Sequence, residues 1–381
     1  MDNVVMGSLG IPDAVLASAR QVTDRIGRAA ADLGGALTVD ADEILTGRAA
    51  MLGIAPAGRI SAGGATRLLA TRDGWCALTL SRADDVAAVP ALLESADQPA
   101  DVWAELEIEA ALRDTAEFVG RARLLDLPAA KLSETSAVPP RFRLRGPRAA
   151  RPLSHLLVAD LSSMWAGPLC GHLLAAAGAT VVKVESRERP DGTRLGDRRF
   201  YDWMNASKLS YATDFDDPEL RRLLEAADVV IESSRPTALA RRGLGAEQLP
   251  ARPGRVWLRI TGYGPEGERA QRVAFGDDAA VAGGLVGAGP AFVGDAVADP
   301  LTGLTAAQSV LEALQRGGGE IIDVALAEVA AYYAAAGAAP SPVPEDVEPP
   351  KVPGPPSRPA AELGADNARV RDLVQDRLAP C

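Results

Sequence analysis

From His155 onward the chain alternates short apolar, β-branched runs with helical segments: HLLVADLS, PLCGHLLAAAG, TVVKVE, ADVVIESS and VWLRITGYG follow one another in that order. Strands buried on both faces and separated by amphipathic helices need a parallel sheet with helices on either side. The fold class expected is therefore α/β, a Rossmann-like doubly wound parallel sheet accompanied by a smaller α+β domain. Ligands of such sheets sit beyond the carboxyl ends of the strands. The loops Ser162–Pro168, Ser186–Arg194, Ser233–Pro236 and Thr261–Gly267 are the ones placed to line a site.

The chain before that alternation reads differently. Apolar residues at helical spacing (Ala14, Ala17, Val22, Ile26, Ala29) run up to the Gly34-Gly35 pair, which predicts a helix and then a turn. RLLATRDGWCALTLSR, residues 67–82, reads as strand, Asp73-Gly74 turn, strand. Residues 83–125 carry a helical period broken at Pro90 and Pro99. Residues 1–138 are thus expected to form the small α+β domain. Residues 139–152, PPRFRLRGPRAARP, hold four prolines and five arginines and read as an extended linker, solvated or used for docking an anion. The α/β domain then covers 153–335, a Pro-rich connector 336–362, and a C-terminal helix lies within 363–381.

Composition narrows the function. A formal net charge of −11 lacks the excess of Lys and Arg that supplies a nonspecific grip on nucleic acid. A few local arginines and helix N-termini still suffice for a small polyanion. Cys76, Cys170 and Cys381 have neither disulfide-framework nor metal-ligand spacing. No stretch of about 18 uninterrupted apolar residues marks a membrane span. A first segment without signal-peptide form gives the expectation of a cytoplasmic protein with no membrane partner and no metal. Only two histidines occur, His155 opening the first strand and His172 inside the first helix, so proton chemistry leans on carboxylates.

Six motifs follow in order: VADLSSMWAGPLCGHLLAAAGATVVKVE, DGTR, NASKLSYATDFDDPELRRLLEAADVVIES, RPTALARRGLG, ITGYGPEG and GDAVADPLTGLTAAQSVLEAL. Their order and spacing resemble the class III CoA-transferase family, which includes formyl-CoA and carnitine-type CoA transferases and α-methylacyl-CoA racemases. TRLLATRDGWCALTLSRADD and FVGRARLLDLPAAKL resemble that family's small domain, here preceding the large one, and the tail PAAELGADNARVRDLV resembles its returning C-terminal segment. The resemblance implies coenzyme A as substrate or product, acyl-CoA and carboxylic acid substrates, and a homodimer or a dimer with a homologue.

Residue by residue, the resemblance places CoA contacts at Trp165, Ala166 and Gly167, at Ser186 and Arg187, and after a later strand at Ser233, Ser234, Arg235, Arg241 and Arg242. Arginine suits phosphates through its planar set of donors. The alternative for Arg241 is a solvated surface side chain. Asn205 with Lys208, and Lys183 with Glu185, match two further family elements. Lys183 and Glu185 read equally as a structural ion pair, and Glu185 as a ribose ligand.

Asp299, in GDAVADPLTG, matches the family's catalytic aspartate, a nucleophile that forms mixed anhydrides with acyl groups. The histidine that racemases pair with it falls on Asp277, beside Asp278. Asp277, Asp278, Asp295 and Asp299 lie close in sequence, either as a proton-transfer cluster or as helix caps and turns. The function expected is transfer of CoA between an acyl-CoA and a carboxylic acid, or isomerisation of an acyl-CoA. The alternative is a noncatalytic acyl-CoA-binding subunit. A dinucleotide-dependent oxidoreductase is disfavoured because no G-x-G-x-x-G follows the first strand.

Overall fold

The computed structural model describes residues 9–336 and 350–379. Cys381 and residues 337–349 of the expected connector lie outside them. The first helical period forms α1 (Asp13–Asp32), whose buried stripe is Val15, Ala19, Val22 and Ile26. Asp40 then caps α2 (Ala41–Leu52), its carboxylate accepting from the N–H groups of Asp42 and Glu43. The hairpin follows as β1 (Thr66–Ala70) and β2 (Trp75–Thr79), closed at Asp73-Gly74 with Thr71 N–H donating to Gly74 O at 2.9 Å. Short helices α3 (Ala83–Ala87) and α4 (Val89–Leu93) lead into α5 (Val102–Ala111) and α6 (Thr115–Leu124). β3 (Ala129–Lys131) completes a three-stranded antiparallel sheet in the order β1-β2-β3.

The second sheet has seven strands. β4 (Arg141–Leu144) comes first in the chain, then β5 (Leu157–Asp160), α7 (Ala166–Ala176), β6 (Thr180–Glu185), α8 (Arg198–Asn205), β7 (Leu209–Ala212), α9 (Pro218–Ala226), β8 (Val229–Glu232) and β9 (Val256–Thr261). Two helices that start close together, α10 (Gly276–Gly283) and α11 (Ala298–Gln315), precede β10 (Glu320–Ala325), α12 (Leu326–Ala336) and α13 (Asn367–Leu378). The strand order is β4-β10-β9-β8-β5-β6-β7, parallel throughout except for β4. This is the doubly wound α/β arrangement, and its order reverses between β5 and β8.

Each face of the sheet has its own core. One joins α1, α2, α7, α10, α11 and α12 to the strands through Ile26, Leu45, Leu169, Leu301 and Val310. The other packs α9 and α13 beneath Leu157, Val230 and Trp257. The outer strand β7 is covered: Asp366 and Asn367 exchange hydrogen bonds with the backbone of Ser210 and Ala212, which satisfies an otherwise open edge. Among the described residues no helix is long and apolar enough to cross a membrane.

Two boundaries differ from those expected. The Pro/Arg stretch 139–152 does not stay a linker, because Arg141–Leu144 pairs antiparallel with β10 as an edge strand. Its prolines flank the paired residues and cost no ladder hydrogen bond there, and Arg141 and Arg143 find Glu328 and Glu247 at 2.5 and 2.7 Å. Nor does the small domain start at residue 1. The apolar faces of α1 and α2 are buried in the core of the large sheet, so only the stretch from about β1 to β3 forms the smaller layer, with its own core around Leu69, Leu78, Leu106 and Phe118. Leu68 and Ala77 of the small sheet meet Val281 of α10, which seats the small layer on the helix that carries Asp277.

Candidate active site

At the reversal point the loops after β5 and β8 touch, Ser163 N–H donating to Ser233 Oγ at 3.2 Å. Three buried ion pairs shape this end of the sheet. Lys208 Nζ donates to Asp160 Oδ2 and to Pro168 O, both at 2.8 Å. Gly171 makes room for that pair, since a Cβ there would stand 2.7 Å from Asp160 Oδ2. Lys183 meets Asp191 at 2.7 Å, and Arg194 grips both oxygens of Glu185 at 2.8 and 2.7 Å. Lys183 and Glu185 are thus paired, though not with each other. Burial alone opposes charge at Asp191 and Glu185, yet Lys183 and Arg194 hold both carboxyls below the usual range. Beside these pairs opens a cleft of about 280 Å³ lined by Ser162, Ser163, Ser186, Arg189, Pro190 and Asp191, among others.

A second group of charges gathers where α10 and α11 begin. Asp277 lies in the first turn of one and Asp299 in the first turn of the other, where helix dipoles favour negative charge. Gly276 lets the helices meet: a Cβ there would stand 2.5 Å from Asp299 Oδ2 and collide with Ala296 O. Ala296 holds φ +43°, a conformation that a residue with a Cβ rarely adopts. Its N–H donates to Asp277 Oδ1 at 3.1 Å and its carbonyl accepts from Asp299 N–H at 2.8 Å, so the turn ties the two acids together.

The small layer and α2 close over them. Thr66 Oγ1 lies 3.4 Å from Asp277 Oδ2, and Ser61 donates to the same carboxyl. Asp278 is 0% exposed; its Oδ1 accepts from Phe275 N–H at 2.8 Å and Thr79 Oγ1 at 3.2 Å, while Oδ2 has no hydrogen-bond partner among the described residues. Asp295, 1% exposed, accepts two bonds from Arg48 Nη1 at 2.6 and 2.7 Å. The Arg48 guanidinium lies 5.4 Å from the ring centre of Trp165 and 5.3 Å from that of Phe200.

Three of these carboxyls, Asp277, Asp295 and Asp299, face one arginine. Burial, then the charge of Asp295, pushes Asp277 up to about 6. Burial, followed by the charge of Asp277, pushes Asp299 up to about 7, and burial drives Asp278 up to about 7 as well. Near neutral pH such a group both binds and releases protons, which is what acid–base or nucleophilic work requires.

The model of CoA-transferase family III matches residues 153–358. This chain belongs to CoA-transferase family III. It is 34% identical over 203 residues to the succinyl-CoA–D-citramalate CoA-transferase of Chloroflexus aurantiacus, an overlap of 48% of this chain and 50% of that one. To the succinate–glutarate CoA-transferase of Agrobacterium fabrum it is 34% identical over 213 residues, covering 48% and 53%. The human succinyl-CoA:glutarate CoA-transferase matches at 30% over 182 residues, covering 43% and 42%. The chain spans about half the length of the curated relatives it matches. A CaiB/BaiF family structure from Brucella suis superposes at a TM-score of 0.45 with 30% identity, over 49% of this chain and 56% of that one.

The family's expected CoA contacts fall in several environments. Trp165 and Ala166 are 3% and 5% exposed, so the indole faces Arg48 and Phe200 rather than solvent. Gly167 is pressed against the Ser162 side chain. At the crest of that loop Met164 is exposed, with φ +71°. Ser233 and Ser234 are half-buried, and Arg187, Arg241 and Arg242 are exposed. Arg242 reaches Asp216 at 3.3 Å, and Arg235 bridges to Asp126 of the small layer. Asn205 is buried, its amide donating to Tyr201 O. Of the two histidines, burial lowers His172 to about 4, while His155 is exposed. Arg48, Ser61, Thr66 and Thr79 lie outside the span matched to the family, and no local sequence signal singles them out.

Proposed function

We propose that this chain transfers CoA between an acyl-CoA and a free carboxylic acid, with Asp299 as the nucleophile. The observation that carries the reading is the carboxyl of Asp299, a half-buried residue in the first turn of α11, drawn toward neutral pH by burial and held in register by the Ala296 turn. Its carboxylate attacks the thioester carbonyl carbon and CoA leaves as thiolate, giving a mixed anhydride. The thiolate then attacks the aspartyl carbonyl, releasing the first acid and leaving CoA on Asp299 as a thioester. An incoming carboxylate attacks that thioester and expels CoA, and the thiolate attacks the acyl carbonyl of the new anhydride to regenerate Asp299.

The nucleotide end of CoA is assigned to the cleft at the β5/β8 reversal, with Arg187, Arg189, Arg241 and Arg242 as phosphate ligands. The Ser162–Trp165 loop supports the connection between the two places. One end lines the cleft, and the other holds Arg48, which is bonded to Asp295. Three relatives carry names for CoA transfer between dicarboxylic acids, which makes succinate and glutarate the first acceptors to try. A dimer, with itself or with a homologue, and a cytoplasmic setting complete the proposal.

A second reading is isomerisation at the α-carbon of an acyl-CoA, and the pairing of Asp277 with Asp299 favours it. One carboxylate removes the α-proton and the other, protonated, returns one. The purified chain, incubated with succinyl-CoA and a panel of free acids, is expected to form new acyl-CoA by chromatography and to lose that ability in Asp299→Ala. Exchange of α-hydrogen into heavy water without CoA transfer selects the isomerase, and neither reaction by the chain alone selects a noncatalytic acyl-CoA-binding subunit.

A further inference from the structure

Arg48 stands on α2, 247 positions from Asp295 in sequence and outside the span matched to the family. Both of its bonds to Asp295 come from Nη1. The guanidinium is fixed on three sides, by Trp165, by Phe200 and by the Asp295 carboxylate, and its side chain is still 25% exposed. A planar cation held against two rings and a buried anion loses little further freedom, so its field at neighbouring groups is constant. The charges facing Asp299 are Asp277 from α10, Asp295 from its own loop, and Arg48 from α2; Ser61, Thr66 and Thr79 of the small layer are neutral.

We propose that Arg48 is a positioning residue for Asp299, neutralising Asp295 and directing positive charge at the nucleophile so that it stays ionised beside Asp277. This rests on the nucleophile reading of Asp299 and extends it. Without Arg48, Asp299 would face other carboxylates with no cation to offset them. Burial and Asp277 raise its proton affinity, Arg48 lowers it, and Asp295 raises it again. The N-terminal segment therefore supplies, within the same chain, a charge that the family-matched segment lacks at this place.

The test follows the Asp299 carboxyl directly, by NMR titration of the protein labelled with carbon-13 at the aspartate γ-carbons, the Asp299 signal being assigned by its loss in Asp299→Asn. Arg48→Met keeps a long side chain against the two rings and removes the charge. Its Asp299 midpoint is expected to move upward by roughly one pH unit or more, with a smaller upward shift in Arg48→Lys. Asp295→Asn removes an anion and leaves the guanidinium, so there the midpoint moves downward. An unchanged midpoint in folded Arg48→Met overturns the assignment. If that variant does not fold, unchanged midpoints in both Arg48→Lys and Asp295→Asn overturn it equally. CoA exchange that survives Asp299→Asn defeats the nucleophile reading and leaves the titration standing; a flat titration alongside Asp299-dependent exchange defeats only the role given to Arg48.

Discussion

Two clusters of buried charge lie in this protein, and they are built on opposite terms. Beneath the β5/β8 reversal each acid has its cation: Asp160 has Lys208, Asp191 has Lys183 and Glu185 has Arg194. Where α10 and α11 begin, Asp277, Asp295 and Asp299 share Arg48, and Asp278 has no ion-pair partner among the described residues. Against the cost of burial, Lys183 and Arg194 keep the carboxyls of Asp191 and Glu185 below the ordinary range, which makes them poor proton carriers. The unmatched acids are drawn toward neutrality, where reactivity lies. Burial of charge is therefore no pointer to chemistry in itself; an excess of one sign is.

The largest expected effect separates the clusters by activity. Asp299→Asn keeps the shape of the side chain and removes the nucleophile, and CoA exchange is expected to fall by about 10³-fold or more, roughly 4 kcal/mol of transition-state stabilisation. The thermal transition should not fall, because the uncharged amide removes a buried carboxylate. In the matched cluster the same kind of change strikes stability instead. Lys208→Met strands the Asp160 carboxylate, and urea unfolding should show a loss of about 4 kcal/mol. A loss below about 1 kcal/mol would break the distinction.

A smaller effect depends on pH. Asp278 has a folded value of about 7 against an ordinary 3.8, so the folded state binds its proton more tightly than the unfolded one. The stability this gives is fully present below the ordinary value and is lost as pH rises through about 7. Asp278→Asn lacks that loss. The stability of wild type relative to the variant should therefore fall by about 4 kcal/mol between strongly acid and mildly alkaline buffer, read from urea midpoints. A difference that instead grows with pH would place Asp278 among the matched acids. By the same sign Asp299 must lose its proton to attack, so kcat/KM should climb with pH up to about 7 and then level off.

The smallest effect concerns the turn between them. Ala296→Gly relieves a left-handed alanine and is expected to raise stability by about 1 kcal/mol, while loosening the Asp277–Asp299 register and lowering exchange severalfold. Higher stability with undiminished exchange would detach the turn from the chemistry.

Much of the fold is legible in the sequence because it is written in local periods. The alternation after His155 becomes β5, α7, β6, β8 and β9, and Asp73-Gly74 becomes a hairpin. Contacts between distant segments leave no such period. α1 reads as a helix, but nothing in its spacing says that it joins the core of the large sheet, α2 has no motif that announces it, and RFRL reads as an extended linker until β10 offers its edge. The site divides in the same way. Asp277, Asp278, Asp295 and Asp299 stand out through their crowding in a Gly- and Ala-rich stretch, whereas Arg48 is one arginine in a stretch without a motif until the chain folds. Trp165 enters as a CoA contact implied by the family resemblance, yet its ring is buried as part of the platform for Arg48.

The central claim is that Asp299 becomes covalently bonded during turnover. The purified chain should be incubated with succinyl-CoA, quenched with hydroxylamine and mapped by peptide mass spectrometry. The account predicts an aspartyl hydroxamate at Asp299, absent when CoA is supplied without an acyl group; active CoA exchange with Asp299 unmodified would contradict it.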